Sequence, residues 1–288
     1  MVTFTQAGDY VFRLIADDGQ VKIFADLPVT VVEPAQVSVI ATDATAAELG
    51  PDPGEFTFSR AGDLSHELTV YFTPSGTASN GADFAPIALS NRVTFAIGED
   101  TIKFPIIPYL DHRTEGDETI TFTIVSNVLY TISSSEATVT IQDSPYGQWN
   151  IAHFTLEELT DPLLSGEGID FDHDGLVNFA EYAAIREPKA TETNSPLQTT
   201  IELNPGDGLN HINLTYQRRV APTDVAYRVA VSTNLVTWRT DSSAVQEISA
   251  TPDPDGLTET VKTRVLAPWP AVSPQFVTVQ VWLLATGP

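Results

Sequence analysis

The feature that most constrains the fold of this chain is a series of short runs in which every second residue is apolar. Seven such runs lie between residues 36 and 143, and turn-forming Gly, Pro, Asn and Asp residues separate them. The alternating residues are Val37/Val39, Phe56/Phe58, Leu68/Val70/Phe72, Val93/Phe95, Ile102/Phe104/Ile106, Ile120/Phe122/Ile124 and Val139/Ile141. Alternation of this kind gives a strand one buried and one solvated face. The pattern predicts an antiparallel β-sandwich over residues 36–143.

Strand patterns also precede this region. Residues 1–33 contain two alternating runs on either side of Asp17-Asp18-Gly19-Gln20, a sequence that favours a hairpin turn. The phrase AGDYVFRLIADDGQVK resembles the last two strands of an immunoglobulin-like, PKD-type domain. Because two strands alone are marginally stable, we expect the hairpin either to be a fragment of a longer domain or to dock elsewhere.

A further β-rich region follows the polar linker of residues 189–198. Alternating runs over residues 199–286 predict a second, smaller β-sandwich, and Trp238 falls within a strand pattern that indicates a core position. The predicted fold class is therefore mainly β, with tandem immunoglobulin-like antiparallel sandwiches joined by a short helical connector.

That connector is predicted over residues 144–188. The apolar spacing of residues 146–154 fits a short helix, and Thr155-Leu-Glu-Glu158 has the form of a capping box that starts a second one. A third helix is expected to run through Glu181 and to stop before Pro188. Its small core is expected to contain four aromatic residues, Trp149, Phe154, Phe179 and Tyr182.

The connector contains the clearest ligand-binding motif of the chain, D-x-D-x-D-G-x-V-x-x-x-E. A calcium loop requires oxygen ligands at its positions 1, 3 and 5, glycine at position 6 and a bidentate carboxylate at position 12. The residues at the ligand positions are Asp170, Asp172, Asp174, Leu176 through its carbonyl, Asn178 through its amide or a water, and Glu181. Gly175 permits the turn. The alternative interpretation is an acidic surface turn.

The loop resembles the EF-hand family and its single-loop relatives in secreted bacterial proteins. It also distantly resembles half of a dockerin. Dockerins carry two such loops, and the sequence contains no second one, which argues against docking to a cohesin.

Four phrases within residues 36–143 resemble the Calx-beta family in wording and in order. They are GEFTFSRAG, LTVYFTPSGTASNGADF, VTFAIGEDTIKFPIIPYLDHRTEGDETITFTI and ATVTIQD. That family forms immunoglobulin-like sandwiches, and some members bind calcium at one end through acidic loops. The resemblance implies a second candidate site formed by Glu48, Asp83, Asp111, Glu115 and Asp143. His112 and Ser144 stand where the richest sites carry further acids, so we expect one ion rather than a cluster. Ordinary turn and capping roles for these acids are the alternative.

Charge and composition exclude several classes of function. The net charge of −24 arises from 38 acidic and 14 basic residues, and such a surface repels the phosphates of nucleic acid and of anionic membranes. The chain contains no cysteine, which excludes disulfides and thiolate metal sites. No apolar stretch approaches the length of a transmembrane helix, and no signal peptide is recognisable at residue 1.

Catalytic motifs are also missing from the sequence. It contains no G-x-S-x-G elbow, no H-E-x-x-H and no phosphate-binding loop. The five histidines have no spacing that suggests zinc, and we expect each of them at the surface. The chain is therefore predicted not to be an enzyme.

Together these features predict a calcium-stabilised, extracellular or cell-surface modular scaffold, either a stalk or an adhesion protein that binds a protein or glycan ligand. Calcium would fix the connector and so the angle between the two sandwiches. Two alternatives remain. One is a filament subunit that self-associates by strand addition through residues 1–33. The other is the non-catalytic region of a secreted enzyme, with Trp238 or Trp269 binding glycan.

Overall fold

A computed structural model describes residues 6–50, 52–87, 91–111, 113–220, 223–270 and 275–284. These residues form seventeen strands and three short helices. The predicted mainly β fold class is thus confirmed. The chain divides into two compact units, one of residues 1–46, 53–108 and 118–141 and the other of residues 47–52, 109–117 and 142–288. Among the described helices none is both long and apolar enough to cross a membrane.

The first unit begins with a hairpin of β1 (Gly8–Asp17) and β2 (Lys22–Val31), which pair antiparallel along their whole length. One face of the hairpin carries the ion pairs Arg13–Asp26 and Lys22–Asp17 together with the exposed apolar side chains of Val11, Ile15 and Phe24. The opposite face is apolar; its residues are Tyr10, Phe12, Leu14, Ala16, Ile23, Ala25, Leu27 and Val29. We call this set the apolar hairpin face. Tyr10 and Val29 are half-buried, whereas 75% of Leu14 and 66% of Ile23 are accessible to solvent.

The rest of the first unit is a sandwich of two sheets. One sheet has the order β10-β3-β5-β8, and its strands are β3 (Ala35–Asp43), β5 (Gly54–Ala61), β8 (Thr101–Ile106) and β10 (Tyr130–Ser134). The other has the order β4-β11-β9-β6-β7, and its strands are β4 (Thr45–Ala47), β6 (Leu68–Gly76), β7 (Arg92–Phe95), β9 (Glu118–Ile124) and β11 (Glu136–Gln142). Strand β10 pairs with β3 in parallel.

Phenylalanine rings join these two sheets. The Phe122 ring of β9 stacks on Phe56 of β5 with centroids 4.3 Å apart and lies 4.6 Å from Phe72 of β6. All three side chains are buried. Each belongs to an alternating run of the sequence, and the inward half of each run supplies the core, as period-2 alternation requires.

The second unit contains the helices α1 (Pro145–His153), α2 (Leu156–Leu159) and α3 (Asn178–Ala184). The predicted capping box is present at α2: Thr155 Oγ1 accepts the Glu158 amide at 3.3 Å, and Glu158 Oε2 accepts the Thr155 amide at 2.7 Å. Helix α3 ends at Ile185, which adopts a left-handed conformation with φ 61°. Tyr146, Trp149, Phe154 and Tyr182 form the buried centre of the helical region, and Phe179 packs against it.

Two more sheets complete the second unit. A four-stranded sheet of order β12-β13-β16-β15 contains β12 (Gln198–Asn204), β13 (Leu209–Arg219), β15 (Val245–Pro252) and β16 (Thr258–Trp269). A two-stranded sheet pairs β14 (Val225–Ser232) with β17 (Phe276–Leu283). Leu214, Tyr216, Val229 and Val261 form the core between them.

Two expectations for this region were wrong. Trp238 lies outside the strands and is half-buried, because the chain turns through residues 233–237 after β14 ends. His211 is 1% exposed rather than at the surface. Its ring nitrogens pair with the Val265 carbonyl and with an Asp207 carboxylate oxygen, both at 2.9 Å, which makes the buried position tolerable. His112 lies outside the described residues.

Candidate metal centres

The motif Asp170–Glu181, called the calcium loop below, joins the segment after α2 to helix α3. Gly175 has φ 101° and His173 has φ 64°, so the chain makes the sharp turn at the predicted glycine. One carboxylate oxygen from each of Asp170, Asp172 and Asp174 lies within 4.8 Å of the others. The loop thus brings the three predicted aspartates together.

Backbone amides of the loop hold these carboxylates in place. Asp170 accepts the amides of Asp174 at 3.2 Å and of Gly175 at 3.0 Å. Asp172 Oδ1 accepts the Asp174 amide at 3.1 Å, and Asp174 Oδ1 accepts the Leu176 amide at 2.9 Å. Because these donors are part of the turn itself, the convergence of three like charges is set by local sequence.

Glu181 on α3 provides the strongest evidence for a cation. Its side chain is 1% exposed, yet neither carboxylate oxygen accepts a hydrogen bond from any described residue. Burial, followed by the charges of Asp172, Asp174 and Asp170, raises the pKa of this carboxyl to about 7. A buried, unpaired carboxylate is costly. A cation within the loop would provide the partner that both oxygens lack.

Asp172 and Asn178 each have one buried side-chain oxygen that also lacks a hydrogen-bond donor. Asp172 Oδ2 and Asn178 Oδ1 are buried and accept no hydrogen bond within the described part of the chain. The oxygen atoms available at this site are carboxylate and amide oxygens, which are the ligands that hard divalent cations such as Ca²⁺ prefer. The residues present therefore fit a calcium ion.

Asn178 also has a role that sequence reasoning missed. Its Nδ2 donates to the carbonyls of Leu164 and Gly166, each at 3.0 Å, and its backbone amide donates to Ile169 at 2.7 Å. The fully buried Asn178 side chain therefore fastens the start of α3 to the segment that enters the loop. Only the packing of that segment reveals these partners.

Four acids of the second candidate site lie in the second unit. Glu48 is 6% exposed, and its Oε2 accepts no hydrogen bond from the described residues. Burial, then the charges of Asp143, Asp111 and Glu115, raises the pKa of Glu48 to about 8. This combination of a buried, unpaired oxygen and nearby carboxylates resembles that at Glu181.

Asp143, Asp111 and Glu115 of this group have hydrogen-bond or ion-pair partners. Asp143 Oδ2 accepts the Gly116 amide at 2.9 Å and the Glu115 amide at 3.3 Å, although burial still raises its pKa. Arg113 pairs with Asp111 at 3.5 Å and with Glu115 at 3.8 Å. Asp143 and Asp111 therefore also serve the turn and pairing roles that were the alternative interpretation.

Asp83, the fifth predicted ligand, belongs to the first unit. It is buried, and its Oδ2 accepts the Ser79 amide at 2.5 Å. The Asp83 amide in turn donates to the Ser79 carbonyl at 3.1 Å. Within its own unit Asp83 therefore closes a turn.

A buried acid that the sequence did not single out lies beside the helical core. Asp224 is fully buried, and its carboxylate accepts the Tyr146 amide at 2.8 Å and the Tyr182 hydroxyl at 2.6 Å. Asp224 thereby ties α1 and α3 to the start of β14. Both of its oxygens have partners, so Asp224 has a structural role and is not a candidate metal ligand.

Of the two tryptophans considered for glycan binding, Trp269 ends β16 and is 40% exposed. Trp238 is half-buried in the turn after β14. The two lie in different segments, and neither lines the cavity of about 500 Å³ or that of about 180 Å³ in the second unit.

No family model matches the chain, and no curated protein matches it. Among solved structures, the apo-form Calx CBD1 domain is 25% identical, covers 39% of this chain and 99% of its own, and has a TM-score of 0.33. CBD12 from CALX1.2 is 14% identical over 86% of this chain and 81% of its own, with a TM-score of 0.34.

A third solved structure, invasin, is described as a bacterial integrin-binding protein. It is 12% identical, with a TM-score of 0.29, and the match covers 98% of this chain but 46% of invasin. At such scores these similarities do not decide what this chain binds. The buried, unpaired oxygens of Glu181 and the three converging aspartates are the features of this chain that point to a metal centre.

Proposed function

We propose that this protein is a calcium-stabilised, extracellular or cell-surface scaffold of the stalk or adhesion type, and that the calcium loop holds its ion. The observation that carries the proposal is that both buried Glu181 oxygens lack a hydrogen-bond donor among the described residues, while the charges of three converging aspartates act on this carboxyl. Bound calcium would neutralise these charges and bridge the loop to α3. The chain's own contribution is to hold Asp170, Asp172 and Asp174 in place through backbone amides.

The surface charge supports an extracellular setting. At a net charge of −24, the chain attracts divalent cations and repels polyanions. Extracellular calcium modules bind with dissociation constants of roughly 10⁻⁴–10⁻³ M, near the calcium concentrations outside cells. A site of this affinity would be filled there and would stabilise the folded state by mass action. The partner in this proposal is a protein or glycan surface ligand.

A second ion at Glu48, Asp111, Glu115 and Asp143 is part of the proposal. The raised pKa of Glu48 and its unpaired Oε2 support this site. The Arg113 ion pairs weigh against it, because they already neutralise part of the charge. We therefore expect the calcium loop to bind first and the second group of acids to bind more weakly.

Calorimetric titration of chelator-stripped protein with calcium tests the proposal. We expect one site with a dissociation constant of roughly 10⁻⁴–10⁻³ M, a weaker second site, and a melting temperature that rises with calcium. The double variant Asp170→Asn with Asp172→Asn removes two charges from the loop, leaves its backbone donors in place and should lose this site. No heat from the wild type at 10 mM calcium, or unchanged binding by the double variant, would contradict the proposal.

A second candidate function is self-association through the hairpin. The apolar hairpin face supports it, because Leu14, Ile23 and Leu27 are each at least 63% exposed and both charged pairs lie on the other face, which also exposes some apolar side chains. A sheet with one apolar face is stable only when that face is covered. Within the described part of the chain β1 and β2 pair only with each other, and the free edge of each strand favours strand addition by a second copy.

For this candidate we expect concentration-dependent association in sedimentation equilibrium, which Leu14→Asp abolishes by placing a charge on the apolar hairpin face. The matched control is Ile15→Asp on the opposite face, where the wild-type residue is also exposed; it should associate as the wild type does. A protein that stays monomeric at all concentrations, or equal behaviour of the two variants, would rule out this function.

A further inference from the structure

A segment outside the twelve-residue motif is attached to the calcium loop. We call residues 191–197 the strap. Thr191 Oγ1 donates to the Asp172 carbonyl at 3.2 Å, and the Glu192 amide donates to Asp174 Oδ2 at 3.1 Å. These bonds connect two loop positions to residues about twenty positions further along the chain.

Arg186 anchors the strap from its other side. Its guanidinium pairs with the Glu192 carboxylate at 2.6 Å and donates to the Asn194 carbonyl. Its own backbone amide donates to the Glu181 carbonyl at 2.9 Å. The strap is therefore attached to α3, which carries the twelfth loop residue, as well as to the aspartates.

The strap borders a cavity of about 500 Å³ in the second unit. Leu176, a loop residue, lines this cavity together with Ala183 of α3, Leu197 of the strap and Val279 of β17. A cavity of this size is within the range that holds small ligands. The strap therefore forms part of the wall of this cavity.

We propose that Thr191 and Glu192 are positioning residues of the calcium loop, and that calcium binding fastens the strap over this cavity. The inference rests on the proposed calcium function. Without a cation the loop aspartates and Glu181 repel one another, and within the described part of the chain only Thr191 and Glu192 of the strap donate to Asp172 and Asp174. With calcium bound, Asp172 and Asp174 become fixed acceptors for the two strap donors.

Linkage requires the effect to be reciprocal. Calcium should protect the strap, and the strap should strengthen calcium binding. Loss of hydrogen bonds that orient metal ligands typically weakens metal binding about 10–100-fold. A single exposed donor such as Thr191 should lie at or below the bottom of that range.

The test combines amide hydrogen exchange with calcium calorimetry on the full chain. We expect calcium to slow exchange of the Glu192 amide at least about tenfold and Thr191→Val to weaken calcium binding about three- to tenfold. Thr193→Val is the matched control, since Thr193 is an exposed strap residue; it should bind as the wild type does. Thr191→Ser keeps the hydroxyl and should restore binding.

These measurements distinguish failure of the proposed calcium function from failure of the strap inference alone. If the wild type binds no calcium, the proposed function is overturned and this inference falls with it. If the wild type binds calcium but exchange at Glu192 does not change and Thr191→Val binds normally, only this inference is overturned. Thr191 is exposed, so its substitution leaves the core intact, and far-ultraviolet circular dichroism verifies this.

Discussion

Glu181→Gln is expected to abolish calcium binding at the calcium loop while making the calcium-free protein more stable above pH 7. The wild-type side chain is buried, the charges of three loop aspartates act on it, and neither of its oxygens accepts a hydrogen bond from a described residue. Glutamine retains the shape of the side chain, removes its charge and supplies donors to the neighbouring carboxylates. It cannot chelate an ion through two oxygens, so we expect calcium affinity at the loop to fall at least about 100-fold.

The raised pKa of Glu181 determines whether the free energy of unfolding of the calcium-free protein rises or falls in the variant. Glu181 binds its proton more tightly in the folded state, with a pKa of about 7 against an ordinary value near 4.5. The stabilisation from this proton is fully present below pH 4.5 and is lost as the pH rises through 7. Glutamine does not titrate, so the calcium-free variant should gain about 1–2 kcal/mol over the wild type at pH 8.

Urea unfolding in chelator and in 10 mM calcium measures both effects. The matched control is Glu157→Gln, the same change at an exposed acid of α2, and it should alter neither quantity. In the wild type, calcium must displace the Glu181 proton below pH 7, so affinity should be about tenfold weaker at pH 6 than at pH 8. Normal calcium binding by Glu181→Gln, or its destabilisation in chelator, would contradict the assignment.

Asp224→Ala is expected to destabilise the second unit by about 2–4 kcal/mol. The change leaves two buried donors, the Tyr146 amide and the Tyr182 hydroxyl, without an acceptor, and each unpaired buried donor costs about 1–3 kcal/mol. Asp224→Asn retains one acceptor oxygen and should lose about half as much. Urea unfolding measures the difference.

A double-mutant cycle with Tyr182→Phe shows whether the Tyr182 hydroxyl carries the effect. Because phenylalanine has no donor, Asp224→Ala should cost less in that background, with a coupling of about 1–2 kcal/mol. A cost below about 0.5 kcal/mol for Asp224→Ala alone would show that the bonds to Asp224 do not hold α1 and α3 in place.

Much of the fold and of the calcium loop could be predicted from local patterns. Period-2 alternation identifies the strands that carry Phe56, Phe72 and Phe122, because an alternating strand has one face that must be buried. The capping box at Thr155 and the spacing of Asp170, Asp172 and Asp174 are also local, since their partners lie within five residues.

Near neighbours along the chain thus specify the strands, the helix starts and the convergence of the three aspartates. The burial of His211 and Asp224, the unpaired oxygens of Glu181 and Glu48, and the attachment of the strap arise only in the folded chain. Burial and hydrogen-bond pairing depend on groups that are far apart in the sequence, such as Tyr146 and Asp224, which are separated by 78 residues. Local sequence patterns carry no record of those distant partners.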